Sequence, residues 1–175
     1  MVLGELVKLR PMEPSDAEAL WRWDHDPEIM RWMQDAYAQP LAQARKEMQE
    51  QPRNCYENVL YGIEALQDGV LIGLVRLSGA EPETGCAELA IYVGDKDYWG
   101  RGYATDATRT ICRYGFQKMR LHKITLTVVP ENHAAHHIYQ KVGFVEEGRL
   151  REVFRRDGRW HDMLTMGLLE GELRG

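Results

Sequence analysis

The apolar run CAELAIYV (86–93) reads as a strand, and within a dozen residues WGRGYATD (99–106) opens a helical segment through two glycines set around an arginine. This succession of strand, glycine turn and helix constrains the chain more than any other stretch. It leaves several backbone N–H groups at a helix N-terminus without intrahelical acceptors, where the helix dipole adds positive charge, and proteins hold phosphates in this way. The two widespread phosphate loops do not fit. From Gly100 the chain reads G-R-G-Y-A-T, so Thr105 stands where the dinucleotide fingerprint needs its third glycine, and no GK[ST] closes the loop. Taken alone, the segment also fits a tight turn whose glycines serve backbone geometry only.

The elements around it set the fold class. LVKLRPM (6–12) predicts a first strand, and SDAE (15–18), with Ser15 and Glu18 at capping-box spacing, opens a short helix through Trp23. DPEIMRWM (26–33) and residues 40–51 predict two further helices. NVLYGIEAL (58–66) and VLIGLVRLS (70–78) flank QDG as a hairpin; residues 103–119 are helical, KITLTVV (123–129) is a β-branched strand, and 132–142 is a helix stopped by Gly143. Two last strands flank Asp157-Gly158. The order predicts an α/β chain of the mixed α+β kind, without the regular βαβ alternation of a doubly wound domain. No linker or repeat divides it, so residues 1–175 read as one domain.

Composition enters where it excludes. No apolar stretch approaches the about 20 residues that a membrane helix needs, and the N-terminus lacks the basic-then-apolar form of a signal peptide. Cys55, Cys86 and Cys112 are scattered, without CxxC spacing, which suits a reducing, cytoplasmic setting and argues against a disulfide framework or a cysteine zinc site. The net charge of −5 and the lack of a basic stripe with interleaved aromatics argue against nucleic acid. Charge is uneven: residues 1–60 carry 7 Lys/Arg against 11 Asp/Glu, whereas 96–123 carry 7 against 2. The basic segment starts at the glycine loop, and the acidic start would attract a cation.

A second motif lies in NHAAHHIYQKVGF (132–144). Asn132, Ala135 and Tyr139 fall on one helical face, an amide, a small residue and a phenol in line. Without further context they read equally as an N-cap, a packing residue and a half-buried anchor. Joined to the loop, the pattern resembles the GNAT superfamily of N-acetyltransferases. WGRGYA matches the family's Q/R-x-x-G-x-G/A loop at Gly102 and Ala104, with Trp99 replacing the usual Gln or Arg, and N-x-x-A-x-x-x-Y-x-K-x-G-F matches its coenzyme-bordering helix. The opening LRPMEPSDAEALWRWDHDPEIMRWM resembles the ribosomal-protein acetyltransferase-like branch, which also holds polyamine and aminoglycoside enzymes.

The resemblance implies a splayed, mostly antiparallel sheet of about seven strands flanked by helices, and acetyl-CoA as acyl donor. It implies that backbone groups of Ile91, Tyr92 and Val93 hold the pantetheine arm, and that Trp99, Gly100, Arg101, Gly102, Tyr103, Ala104 and Thr105 surround the pyrophosphate, with Asn132, Ala135 and Tyr139 along the coenzyme. Tyr139 would protonate the departing thiolate. Glu88 is the first choice of base for the amine, with Asp95 and Asp97 behind it, although a strand glutamate is also at home simply exposed. The acceptor would be a small cationic amine, such as a polyamine or aminoglycoside, or a protein N-terminus, and a homodimer is implied by resemblance alone.

Other readings stand beside this one. A catalytically idle relative would bind acetyl-CoA as a sensor or scaffold. His133 and His137 have the i, i+4 spacing of zinc ligands, with His136 between, but no HExxH glutamate or third ligand accompanies them, so no metal is expected. Trp21, Trp23 and Trp32 would bound an amine pocket or pack as core, and Asp24, Asp26, Glu28 and Asp35 would steer a cation or form a solvated face. Of these, Trp23, Asp26 and Trp32 are the named substrate contacts.

Overall fold

The computed structural model describes residues 1–34 and 37–175. Its strands are β1 (Val2–Leu3), β2 (Val7–Pro11), β3 (Asn58–Ala65), β4 (Leu71–Ser78), β5 (Cys86–Val93), β6 (Lys123–Val128), β7 (Val145–Arg156) and β8 (Arg159–Leu169). The helices are α1 (Ala17–Asp24), α2 (Leu41–Gln49), α3 (Tyr103–Gln117) and α4 (His133–Val142). The strands form one sheet in the order β1-β2-β3-β4-β5-β6-β8-β7. All neighbours run antiparallel except β5 and β6.

The described sheet is mostly antiparallel and flanked by helices, as expected, with eight strands because the short Val2–Leu3 pairs with Leu9 and Lys8 across a turn closed by the Gly4 N–H on the Val7 carbonyl. Two expectations need correction. Residues 26–33 form turns, not a helix. There the Asp26 side chain accepts from the Glu28 amide at 2.9 Å, a local alternative to helical bonding, and the Met33 carbonyl accepts from Arg156 of the closing hairpin at 2.7 Å. The start of α1 is not set by Ser15 and Glu18. Pro14 begins a short 3-10 turn, Pro14–Asp16, and the Glu13 amide donates to Asp16 Oδ2 at 2.7 Å.

Alternation along β5 decides which side chains meet which layer. Ala87, Leu89 and Ile91 face α3, since Leu77, the cross-strand partner of Leu89, reaches Gly115 of that helix. A Cβ at Gly115 would lie 3.1 Å from methyls of Leu77, Leu121 and Ile124, so the glycine lets α3 approach the sheet closely. Glu88, Ala90 and Tyr92 point to the opposite face, where Tyr92 meets Trp23 of α1 edge-on at 6.2 Å.

The sheet opens at its one parallel junction. β5 and β6 pair only at Cys86–Lys123, Ala87–Ile124 and Glu88–Thr125, although β5 continues to Val93 and β6 to Val128. Beyond Glu88 the two strands part, and the β5 edge from Leu89 onward faces a gap.

Away from that gap, Arg10 of β2 ties the sheet to the turn before α1. Its guanidinium donates to Glu64 Oε2 at 2.7 Å and to both Asp16 oxygens at 2.8 and 3.0 Å. Burial pushes the Asp16 carboxyl up, but the Arg10 and Glu13 hydrogen bonds together outweigh it and hold the group below its ordinary value. A depressed carboxyl stabilises the fold above its unfolded pKa, and that contribution is lost as pH falls through the folded value. Arg10→Ala is therefore expected to cost about 2–3 kcal/mol near neutrality. The gap to wild type should narrow in acid, as read from urea unfolding at a series of pH values.

Candidate active site

Two left-handed glycines build the loop before α3. Gly100 has φ 69° and Gly102 has φ 89°, and Gly102 caps the helix without a side-chain bond. The Trp99 amide bonds the Lys96 carbonyl and the Asp106 amide bonds the Gly102 carbonyl at 2.9 Å. Between them, the amides of residues 100–105 find no well-formed acceptor among the described residues. These N–H groups lie at the positive end of a 15-residue helix. Tyr103 and Thr105 have buried side chains, so what they offer at this surface is backbone.

Arg101 turns back over its own loop. It donates to the Asp97 carbonyl at 3.2 Å, and its guanidinium lies 5.8 Å from both the Tyr98 and Tyr103 rings. The Trp99 indole N–H donates to the Val93 carbonyl at 2.7 Å while the ring remains exposed. The residue that departs from the family loop thus takes up one of the backbone groups on the open β5 edge.

On the far side of the gap, α4 carries the second motif. The Asn132 side chain caps the helix by accepting from the Ala135 amide at 3.3 Å, Ala135 packs against the core, and Tyr139 is buried with its ring 5.9 Å from Phe144. Asn132 is therefore engaged as an N-cap. Burial first, and then the neighbouring Cys112, push the Tyr139 phenol up to about 12. Its hydroxyl makes no hydrogen bond to a described residue, which leaves a protonated donor uncommitted. Glu88 is exposed at the last paired position of β5, where the strands part.

The acceptor-side residues separate into two groups. Trp23 is buried against Gly94, where a Cβ would run into its indole ring. Trp32 has Arg31 over its ring at 4.9 Å and the His161 edge at 5.5 Å, and Asp26 is paired with Lys96 at 2.7 Å. These three are occupied by their own chain. Asp35 lies outside the described residues. Asp24 is different: it accepts a long 3.5 Å bond from the Tyr92 hydroxyl and lines two clefts. Burial pushes the Asp24 carboxyl up, with the Tyr92 bond opposing.

The first cleft, of about 430 Å³, lies between α1 and α2 and has Trp21, Asp24, Glu47 and Glu50 on its walls, with no lysine or arginine lining it. The second, of about 910 Å³, is mixed in charge, with Asp24, His25, Arg31, Arg156 and Asp157. Glu47, Glu50 and the Asp24–Tyr92 link escaped sequence reading. Glu47 in α2 and Glu50 at its C-cap belong to no motif, and only tertiary packing sets them beside α1. His133 and His137 are exposed, His136 lies 3.8 Å from Glu146, and no group of three metal-ligating side chains occurs among the described residues.

Comparison with known proteins agrees with this geometry. Residues 7–145 match the family model described as the acetyltransferase (GNAT) domain. The uncharacterized N-acetyltransferase p20 of Bacillus licheniformis is 30% identical over 98% of this chain and 97% of its own length. Spermidine N(1)-acetyltransferase of Escherichia coli is 31% identical, covering 94% of this chain and 86% of the relative. The crystal structure of spermidine N-acetyltransferase from Vibrio cholerae in complex with CoA and spermine aligns with a TM-score of 0.82 at 28% identity, covering 95% of this chain and 97% of that one.

Proposed function

This chain belongs to the GNAT acetyltransferases and is an acetyl-CoA-dependent N-acetyltransferase; on that premise we propose that its acceptor is a polyamine-like small cation, acetylated on a primary amine within one domain spanning residues 1–175. The observation that carries this reading is the cleft walled by Asp24, Glu47 and Glu50 with no basic residue lining it. A polycation gains there from Asp24, Glu47 and Glu50, the last already 4.0 Å from Lys46, and from an indole face, whereas a peptide N-terminus carries a single positive charge and gains less. The matched Escherichia coli and Vibrio cholerae proteins, named for spermidine, support the same class.

The residues fit coenzyme A as donor. Amides of residues 100–105 suit a diphosphate, and the β5 edge at Ile91, beyond the last pairing with β6, suits an amide-bearing arm; the Val93 carbonyl on the same edge is already met by Trp99, and the Tyr92 backbone faces β4. When bound, acetyl-CoA supplies an activated thioester carbonyl. The chain's own residues must then deliver a neutral amine. With a primary amine pKa of about 10.4, only about one molecule in a thousand is neutral near pH 7. Glu88, exposed where β5 and β6 separate, takes the proton through water in this reading, and Tyr139 donates its proton to the departing sulfur. Asp24 receives the acceptor's charged end.

A thiol-release assay over spermidine, spermine, an aminoglycoside and peptides with free N-termini tests the reading. Polyamines should give the highest kcat/KM. A peptide as best substrate would overturn the acceptor class, and coenzyme binding without thiol release from any amine would favour an idle sensor. Asp24→Asn is expected to raise the KM for spermidine about 10-fold, through loss of about 1.4 kcal/mol of charge attraction. Because the carboxylate is the binding form and its pKa is raised, the wild-type KM should climb as pH falls toward the acid range, at a higher pH than an ordinary aspartate would give. The Asn variant should lack that climb.

The assembly and setting complete the proposal. β7 is an outer strand with Val145, Leu150 and Val153 exposed, which supports a homodimer through the closing hairpin, checked by light scattering. Three unpaired cysteines support a cytoplasmic setting.

A further inference from the structure

We infer that Asp106 is the positioning residue of the loop at 100–105, fixing the first turn of α3 to the turn between β1 and β2. The inference rests on the reading of that loop as the diphosphate cradle. Asp106 is the fourth residue of α3 and is 3% exposed. Its Oδ2 accepts from the amides of Leu6 at 2.7 Å and Val7 at 3.0 Å, a hundred residues away in sequence. The β1–β2 turn is built around this carboxylate: the Gly4 amide closes the turn on Val7, and a Cβ at Gly4 would run into the carboxylate and the Thr110 hydroxyl.

The same segment also supports the cradle from below. A Cβ at Gly102 would lie 3.4 Å from a Leu6 methyl, and the Asp106 amide is the one that bonds the Gly102 carbonyl. The Leu6 side chain therefore lies beside the left-handed residue that precedes the free amides of α3, while its own amide is held by Asp106 one helical turn further on. Two observations favour a positioning role over ordinary packing. A carboxylate near the cradle repels the anion held there, so the charge itself does not help binding. Moreover, Asp106 Oδ1 and Thr110 Oγ1 are buried without a hydrogen-bond partner among the described residues, a cost that ordinary packing would avoid with an apolar side chain. What the carboxylate provides is a rigid two-point acceptor for the Leu6 and Val7 amides.

The test compares two donors, acetyl-CoA and acetyl-pantetheine, which lacks the diphosphate, with spermidine as acceptor. Wild type should prefer acetyl-CoA. Asp106→Ala is expected to raise the KM for acetyl-CoA about 10-fold, the effect of misaligning one charge-assisted amide bond. Its kcat and its kcat/KM for acetyl-pantetheine should stay near wild type. Asp106→Asn, which keeps an oxygen for both amides, should restore most of the acetyl-CoA KM, whereas a purely structural loss would lower turnover with both donors together. If Asp106→Ala does not fold, Leu6→Ala carries the same test, because that half-exposed side chain supports Gly102 without entering the deep core. An equal loss on both donors, or no change on either, overturns the inference while wild type still prefers acetyl-CoA. A wild type without that preference overturns the cradle reading, and the inference with it.

Discussion

Tyr139→Phe is expected to lower kcat about 100-fold, the low end of what a positioned proton donor contributes, while leaving the KM for acetyl-CoA within about twofold. The phenol suits the task through burial. Its pKa, pushed up to about 12, keeps it protonated wherever the enzyme can be assayed, so it can donate to a leaving thiolate without first being recharged. The ring packs on Phe144, and the hydroxyl makes no hydrogen bond to a described residue, so phenylalanine preserves the packing. Thermal stability should be unchanged or slightly higher. The sign of the pH dependence follows. Tyr139 loses its proton only as pH rises through about 12, so the rise of kcat/KM from neutral pH to about 10 belongs to the amine, and the variant should keep that rise at a lower level. Stopped detection of free thiol across pH 6–10 measures both. An unchanged kcat would remove Tyr139 from the chemistry and leave Cys112 and Phe144 as its packing partners only.

What could be read in the chain before its fold was known follows from the range of the forces involved. The glycine turn, the N-cap at Asn132 and the Asp157-Gly158 hairpin are local, governed by backbone sterics and nearest hydrogen bonds, and each lies where its residues indicate. The turns at 26–33 did not read correctly because their deciding partners, Lys96 and Arg156, are distant in sequence. The same cause separates the two halves of the site. Loop and tyrosine sit in compact motifs, but the acidic cleft is assembled from α1 and α2, and Asp24 is distinguished from Asp26 only by which tertiary neighbour each meets. Asp26 finds Lys96 and is ion-paired, while Asp24 accepts a long bond from the Tyr92 hydroxyl and faces the clefts.

Gly102→Ala should weaken coenzyme A binding about 10- to 100-fold, equivalent to one amide-to-phosphate bond of about 1.5–3 kcal/mol. Space is not the obstacle, since a Cβ there would meet only a Leu6 methyl at 3.4 Å. The obstacle is the backbone, held at φ 89° and ψ −9°, where a side chain costs about 1–2 kcal/mol. The loop can hold that conformation under strain, or relax toward negative φ and re-orient the amides of Tyr103 and Ala104 that follow. Relaxation is the lower-energy outcome in the free chain, and binding must then restore the strained conformation, so the affinity falls. Gly158→Ala separates strain from function. That glycine has φ 72° with nothing within 4 Å of its Cβ position, so it bears a similar backbone cost in the β7–β8 turn. Calorimetric titration with coenzyme A should therefore show a loss at Gly102 and none at Gly158, although both variants melt earlier than wild type. Equal affinities in the two variants would mean that the free amides of the loop do not hold the donor, and the site would have to be sought along the β5 edge alone.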